Sequence, residues 1–146
     1  MRLFSYRKIF ERKQKNEKEA AVWLEKAANA GNARAQYYLY KQYRNGTGLP
    51  ANPDTAMQWL ERSARGGWPD AKKQLGLIRL DRYLRKKDNL PQATEAVTWL
   101  NDVAQKDPKT MHLLGTLYQD GLIVRADPEE AARWYRRAAE AGDANG

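Results

Sequence analysis

The chain has 146 residues, with 42% apolar and 30% charged side chains, enough for one domain of ordinary size. It contains no cysteine, which excludes disulfides, thiolate metal sites and a cysteine nucleophile. No apolar run approaches the ~18–20 residues of a membrane span, and Leu3-Phe4 is too short for a signal-peptide core. The formal net charge of +8 is uneven: residues 1–18 carry +5, residues 72–87 carry +6 and residues 88–146 carry −4. Such a field can steer an acidic partner or attract nucleic acid.

The pattern A-x-x-W-x-x-x-x-A occurs four times, around Trp23, Trp59, Trp99 and Trp134, at spacings of 36, 40 and 35 residues. A period of this length marks a stacked repeat protein, which works through an extended surface and not through a pocket. In each copy the small residues and the tryptophan share one helical face, as in Ala20, Trp23, Ala27 and Ala28. The indoles are expected to be buried and to dominate stacking between helices.

In chain order, residues 1–15 come first. Leu3 stands 13 residues before Asn16, the offset of Leu39 to Asn52 and of Leu114 to Asp127. They therefore read as a degenerate helix of the type that follows each tryptophan helix elsewhere, with Phe4 and Phe10 where glycines would stand. Asn16, with Glu19 three residues on, is expected to cap the first tryptophan helix. Gly31 ends it. A second helix over Ala35, Leu39 and Tyr43 leads to the turn Asn45-Gly46-Thr47-Gly48-Leu49-Pro50.

Asn52-Pro53-Asp54 starts the next tryptophan helix and Gly67 ends it. The helix from Ala71, Leu75 and Gly76 lacks the closing Tyr and Gly of its counterparts. It is predicted to run one or two turns longer, through Leu80 to Lys87. The Trp99 helix ends at Asp107-Pro108. Thr110, Leu114, Gly115 and Tyr118 form a second-type helix that closes at Asp120-Gly121. Asp127-Pro128-Glu129-Glu130 starts the last helix, with Gly142 as its expected stop and Asp143-Ala144 where another would begin. The array is thus expected to start and end in mid-repeat.

The combined pattern A-x-x-x-L-G-x-x-Y-x-x-G-x-G-x-x-x-x-(D/N)-x-x-x-A-x-x-W-x-x-x-A-A-x-x-G resembles the Sel-one-like repeat, within the tetratricopeptide-repeat-like superfamily. Ala35 to Gly67 follows it nearly throughout, with Tyr40 in place of the second-helix glycine, and Leu114 to Gly142 follows it as well. The resemblance implies an all-α fold, a right-handed α-α superhelix of antiparallel helix pairs with about eight helices. It divides the chain into a cap or half repeat at 1–15 and an array at 16–146, in units of roughly 16–51, 52–91, 92–126 and a partial 127–146. It also implies a non-enzymatic adaptor or scaffold of a kind common in bacteria.

Catalysis finds little support in the residues. His112 is the single histidine, no ligand set for zinc clusters around it, and no phosphate loop is present. No catalytic residue, metal or cofactor is expected, and a cytoplasmic location is read, or a periplasmic one for a processed fragment. On the second-type helices, which would line the concave face, the outward positions include Tyr37, Tyr38, Lys41, Gln42, Lys72, Lys73, Arg79 and His112. Tyrosine and arginine are common interface anchors, so the expected partner is a protein or peptide, acidic by charge.

Two alternatives arise. The basic helix 72–87 could bind nucleic acid, though its arginines do not form one stripe and Leu77, Leu80 and Leu84 occupy its apolar face. The unfinished ends could drive self-association. The N-terminal segment also has the character of a basic amphipathic helix for a membrane surface, but a cap over the first tryptophan helix is the simpler account.

Overall fold

The computed structural model describes the backbone of residues 2–145 and the side chains of residues 6–142. Leu3, Phe4, Asp143 and Ala144, used above to set the repeat phase, have side chains outside the described residues. Among the described residues seven α-helices form: α1 (Arg2–Asn29), α2 (Ala33–Asn45), α3 (Pro53–Arg65), α4 (Pro69–Lys86), α5 (Leu90–Val103), α6 (Pro108–Asp120) and α7 (Pro128–Asn145), with a 3-10 turn at Ala104–Lys106. No strand occurs among the described residues. The chain divides into two compact units, residues 1–71 and 72–146.

The boundaries follow the local chemistry at most ends. Asn32 caps α2 by accepting the Ala35 amide at 2.9 Å, and Asn52 caps α3 by accepting the Thr55 amide at 3.2 Å. Asp127 accepts the Glu130 amide at 3.1 Å to start α7. The expected stops at Gly31, Gly46, Gly67 and Gly121 all adopt positive φ. Asp107-Pro108 acts differently from a plain stop. After the 3-10 turn, Asp107 becomes the cap of α6, accepting the Lys109 amide at 3.2 Å, and Pro108 is its first residue.

Two expected boundaries are absent. Asn16 does not start a helix: α1 runs unbroken for 28 residues. Between Arg2 and Asn29 there is no glycine or proline to interrupt it. The i,i+4 pairs Arg7–Glu11 (3.2 Å) and Lys15–Glu19 (3.9 Å) span the expected break. Gly142 does not stop α7, which continues to Asn145. A Cβ at Gly142 would meet nothing within 4 Å, and its backbone stays out of the left-handed region.

The tryptophans divide accordingly. Trp59, Trp99 and Trp134 are 8%, 9% and 5% exposed, whereas Trp23 is 69% exposed. The burial expected of Trp23 is therefore wrong. The residues that would have folded back over it continue straight ahead as the first half of α1.

In the first unit α1 packs on α2 and α2 on α3, burying Leu39, Tyr40, Trp59 and Leu60. Ser63 is fully buried among them and donates to the Ala33 carbonyl at 2.6 Å. In the second unit α6 packs on α7. Its core joins Leu80, Val97, Leu100, Met111, Leu114, Leu117 and Trp134.

The two well-matched helix pairs exchange volume at one place. In α2/α3 the large residue is Tyr40, and the residue after Trp59 is Leu60. In α6/α7 the corresponding residues are Gly115 and Tyr135, and the Tyr135 ring fills the space that a Cβ on Gly115 would need, 2.8–3.0 Å away. At the corresponding positions the larger ring stands on the other helix, with Tyr40 and Leu60 both buried, so Tyr40 departs from the repeat pattern together with its counterpart.

Helix α4 has 18 residues against 13 in α2 and α6, the extension expected from sequence. It ends at Lys87, an exposed non-glycine residue at φ 56, where α2 and α6 use Gly46 and Gly121. A left-handed residue with a Cβ costs roughly 1–2 kcal/mol. Glycine recovers part of this but loses more freedom on folding. Lys87→Gly is therefore expected to stabilise the chain by about 0.5–1 kcal/mol, read as a higher urea midpoint at unchanged slope. An unchanged or lower midpoint would show that the turn is not strained.

Candidate functional site

The eight residues singled out from sequence fall into both units, Tyr37, Tyr38, Lys41 and Gln42 in the first and Lys72, Lys73, Arg79 and His112 in the second.

In the first unit, α2 turns Leu39 and Tyr40 inward, which leaves Arg34, Tyr38 and Lys41 along one outer stripe at i, i+4 and i+7. Tyr38 is 40% exposed, while Tyr37 beside it is buried. Their rings meet edge to face at 6.1 Å. The Lys41 ammonium lies 5.0 Å from the Tyr37 ring centre and 5.6 Å from that of Tyr38. The Arg34 guanidinium lies 5.7 Å from the Tyr38 ring and 5.9 Å from that of Trp68. These are cation–π distances. Neither cation has a carboxylate within ion-pair distance among the described residues.

Burial, and after it the nearby Asp70 charge, raise the Tyr37 phenol above its ordinary range, so it stays neutral. Gln42 is half-buried, and its Oε1 is buried with no hydrogen-bond partner. The Trp68 Nε1 is in the same condition. Arg34 and Trp68 belong to this patch and escaped the sequence reading. Arg34 could have been found at one turn before Tyr38; Trp68 lies outside the tryptophan period and carried no signal.

In the second unit the named cations are engaged internally. Lys72 pairs with Asp102 at 3.8 Å, Lys73 with Asp107, and Arg79 with Glu95 at 3.1 Å. The Arg79 side chain is only 10% exposed and lies 5.5 Å from the Trp99 ring centre. Burial alone would raise the Asp107 carboxyl, but hydrogen bonds from Lys73 and Thr110 outweigh it and hold the group below the usual range. Farther along α4, Arg82 pairs with Asp88 at 3.2 Å and Arg85 with Asp81 at 2.9 Å. Five of the seven basic residues of 72–87 thus have carboxylates beside them. His112 is exposed, with its ring edge-on to Tyr135 at 5.1 Å. The Tyr135 hydroxyl donates to Gln119 Oε1 at 2.8 Å. No group of three or more potential metal ligands occurs among the described residues, and no described helix is long and apolar enough to cross a membrane.

The repeat geometry has a match among known proteins. The Sel1 repeat profile fits residues 11–32, 33–68 and 108–143, well over half of the chain. The chain belongs to the Sel1 repeat family. Residues 33–68 hold α2 and α3, and residues 108–143 hold α6 and most of α7, so the two faithful repeats are the two volume-exchanged helix pairs.

A solved Sel1 repeat protein from Oxalobacter formigenes is similar over 83% of this chain and 89% of its own, with a TM-score of 0.67 and 34% identity. A protective antigen of uropathogenic Escherichia coli, described as having an SLR fold, is similar over 84% of this chain and 26% of its own, with a TM-score of 0.63 and 31% identity. Among curated proteins, chitin synthase regulatory factor 3 of Schizosaccharomyces pombe is 44% identical over 61 residues, which are 42% of this chain and 6% of that protein. An uncharacterized protein of Neisseria meningitidis serogroup B is 34% identical over 96 residues, which are 64% of this chain and 20% of its own length. The chain spans a fifth or less of these curated relatives. Sel1 repeats are helical scaffolds, and the all-α solenoid class expected from the tryptophan period is the class of these solved relatives.

Proposed function

We propose that this Sel1 repeat chain is a non-enzymatic adaptor whose α2 stripe, Arg34, Tyr38 and Lys41 over Tyr37 and Trp68, binds an acidic peptide or protein segment. One observation carries the reading: Arg34 and Lys41 rest on aromatic faces with no carboxylate within ion-pair distance among the described residues, whereas Lys72, Lys73 and Arg79 are ion-paired within their own unit. Cations held by rings lose less freedom on binding, and a part-exposed tyrosine between them supplies apolar contact. In the second unit, taken by itself, His112 beside Tyr135 is an exposed aromatic surface. Gln42, whose amide oxygen is buried and whose side chain borders α1, does not belong to this stripe.

The test is a peptide-display selection on the chain, followed by affinity measurement on a variant joining Tyr38→Ala to Lys41→Glu. Acidic peptides should be enriched and should bind the variant at least about 10-fold more weakly, about 1.4 kcal/mol. Enrichment without acidic bias, or equal binding to the variant, would refute the reading. Nucleic acid is the competing partner, and the internal pairing of helix 72–87 argues against it. A gel shift at low salt, where phosphate binding is strongest, should show no retardation.

A further inference from the structure

Helix α1 carries an exposed seam, apolar at both ends and polar at its centre, that its own unit leaves uncovered. Ile9, Lys13, Asn16, Ala20 and Trp23 follow one another at alternating four- and three-residue steps, the spacing that keeps side chains on one face of a coiled-coil helix. Ile9 is 64% and Trp23 69% exposed, and Tyr6 and Phe10 beside the seam are exposed as well. Ile9, Arg12, Asn16 and Ala20 line a shallow hollow along this face with Gln42 of α2. The other three repeat tryptophans are buried, so an open indole at this position is particular to α1.

Charge selects the occupant. Residues 6–15 hold Arg7, Lys8, Arg12, Lys13 and Lys15 against Glu11 alone, while residues 16–29 hold Glu17, Glu19 and Glu25 against Lys18 and Lys26. The helix is therefore basic in one half and weakly acidic in the other, with apolar residues in both. A second copy laid antiparallel matches both patterns; a parallel copy opposes the basic halves. A lipid surface would satisfy the basic half and take the indole, but would set Glu17, Glu19 and Glu25 against anionic headgroups.

We propose that two copies of the chain associate through α1 packed antiparallel about the Lys13–Asn16 region. Tyr6 and Ile9 of one copy cover Ala20 and Trp23 of the other, and Arg12 lies alongside Glu19. Lys13 of each copy then faces Asn16 of the other, a polar layer at the centre of the seam that fixes the register, as polar seam residues do in coiled coils. This surface is separate from the α2 stripe and stands or falls independently of it.

The test is sedimentation of the whole chain over a range of concentrations, with circular dichroism to verify folding. A monomer–dimer equilibrium is expected, weakened about 30-fold or more by Trp23→Glu, as for a central aromatic anchor. Ala20→Glu is a second variant that should act in the same direction. Because the chain has no cysteine, orientation can be read by oxidative crosslinking. Lys13→Cys chains should crosslink to Asn16→Cys chains, and Ile9→Cys chains should crosslink to Ala20→Cys chains but not among themselves. A monomer at all concentrations, whether Trp23 is solvated or shielded by its own chain, overturns the proposal. So does a dimer insensitive to both glutamates, or crosslinking of Ile9→Cys chains to one another. Monomers that bind phosphatidylserine vesicles through α1 overturn it too.

Discussion

Gly48→Ala is expected to destabilise the first unit by about 2–4 kcal/mol. Two independent effects add at this position. The backbone sits at φ +74, where any Cβ is strained. A Cβ there would also stand 2.8 Å from the Glu17 carbonyl carbon and 3.2 Å from the Lys18 nitrogen of α1. Those are backbone atoms inside a helix and cannot turn aside as a side-chain tip would. Gly46, two residues earlier at φ +73, is the control, since its nearest neighbour would be the Ala51 Cβ at an ordinary 3.4 Å. Gly46→Ala should therefore cost only the conformational part, about 1–2 kcal/mol. Urea denaturation of both variants checks the difference. Equal midpoints would mean that the α2–α3 turn does not press on α1.

Gly115→Ala should cost about 1–3 kcal/mol, because the added methyl meets the Tyr135 ring edge. The same change should become neutral or mildly stabilising once Tyr135→Leu is present, since alanine is the better helix former by about 0.5–1 kcal/mol. Tyr135→Leu alone loses the hydroxyl's bond to Gln119 and its contact with Thr116 at 3.1 Å, so it serves as the reference background. The first unit already contains the alternative, Tyr40 opposite Leu60. A double-mutant cycle by thermal or urea unfolding should give a coupling of about 1–3 kcal/mol. Additive effects would refute the exchange of volume between the two helix pairs.

Most of the fold was legible in the sequence because its signals are local. A cap side chain accepts an amide three residues away, glycine permits positive φ without a neighbour, and the tryptophan period counts helices without reference to what they touch. The extension of α4 was legible for the same reason: the closing Tyr and Gly were missing, and the helix ran on. Asn16 and Gly142 show the limit. Both residue types can bound a helix, but neither must.

The candidate site was only partly legible. Tyr38 and Lys41 were placed by helical phase, which depends only on counting, but Tyr37, expected to face outward, is buried, its ring packed against Tyr38 and Tyr40. That Lys72, Lys73 and Arg79 have carboxylates at hand could not be counted, because Asp102, Asp107 and Glu95 come to them from later elements. Trp68 was missed since its place beside Arg34 is a matter of packing.

The sequence by itself determined the helical class, the repeat length and most helix ends, all of which rest on interactions within a few residues. Tertiary structure decided which cations find carboxylates within their own unit, which member of a helix pair supplies the large side chain, and which tryptophan stays open to solvent. Those outcomes depend on residues brought together from distant positions, and in the case of Trp23 on a helix that continued straight where a turn was expected.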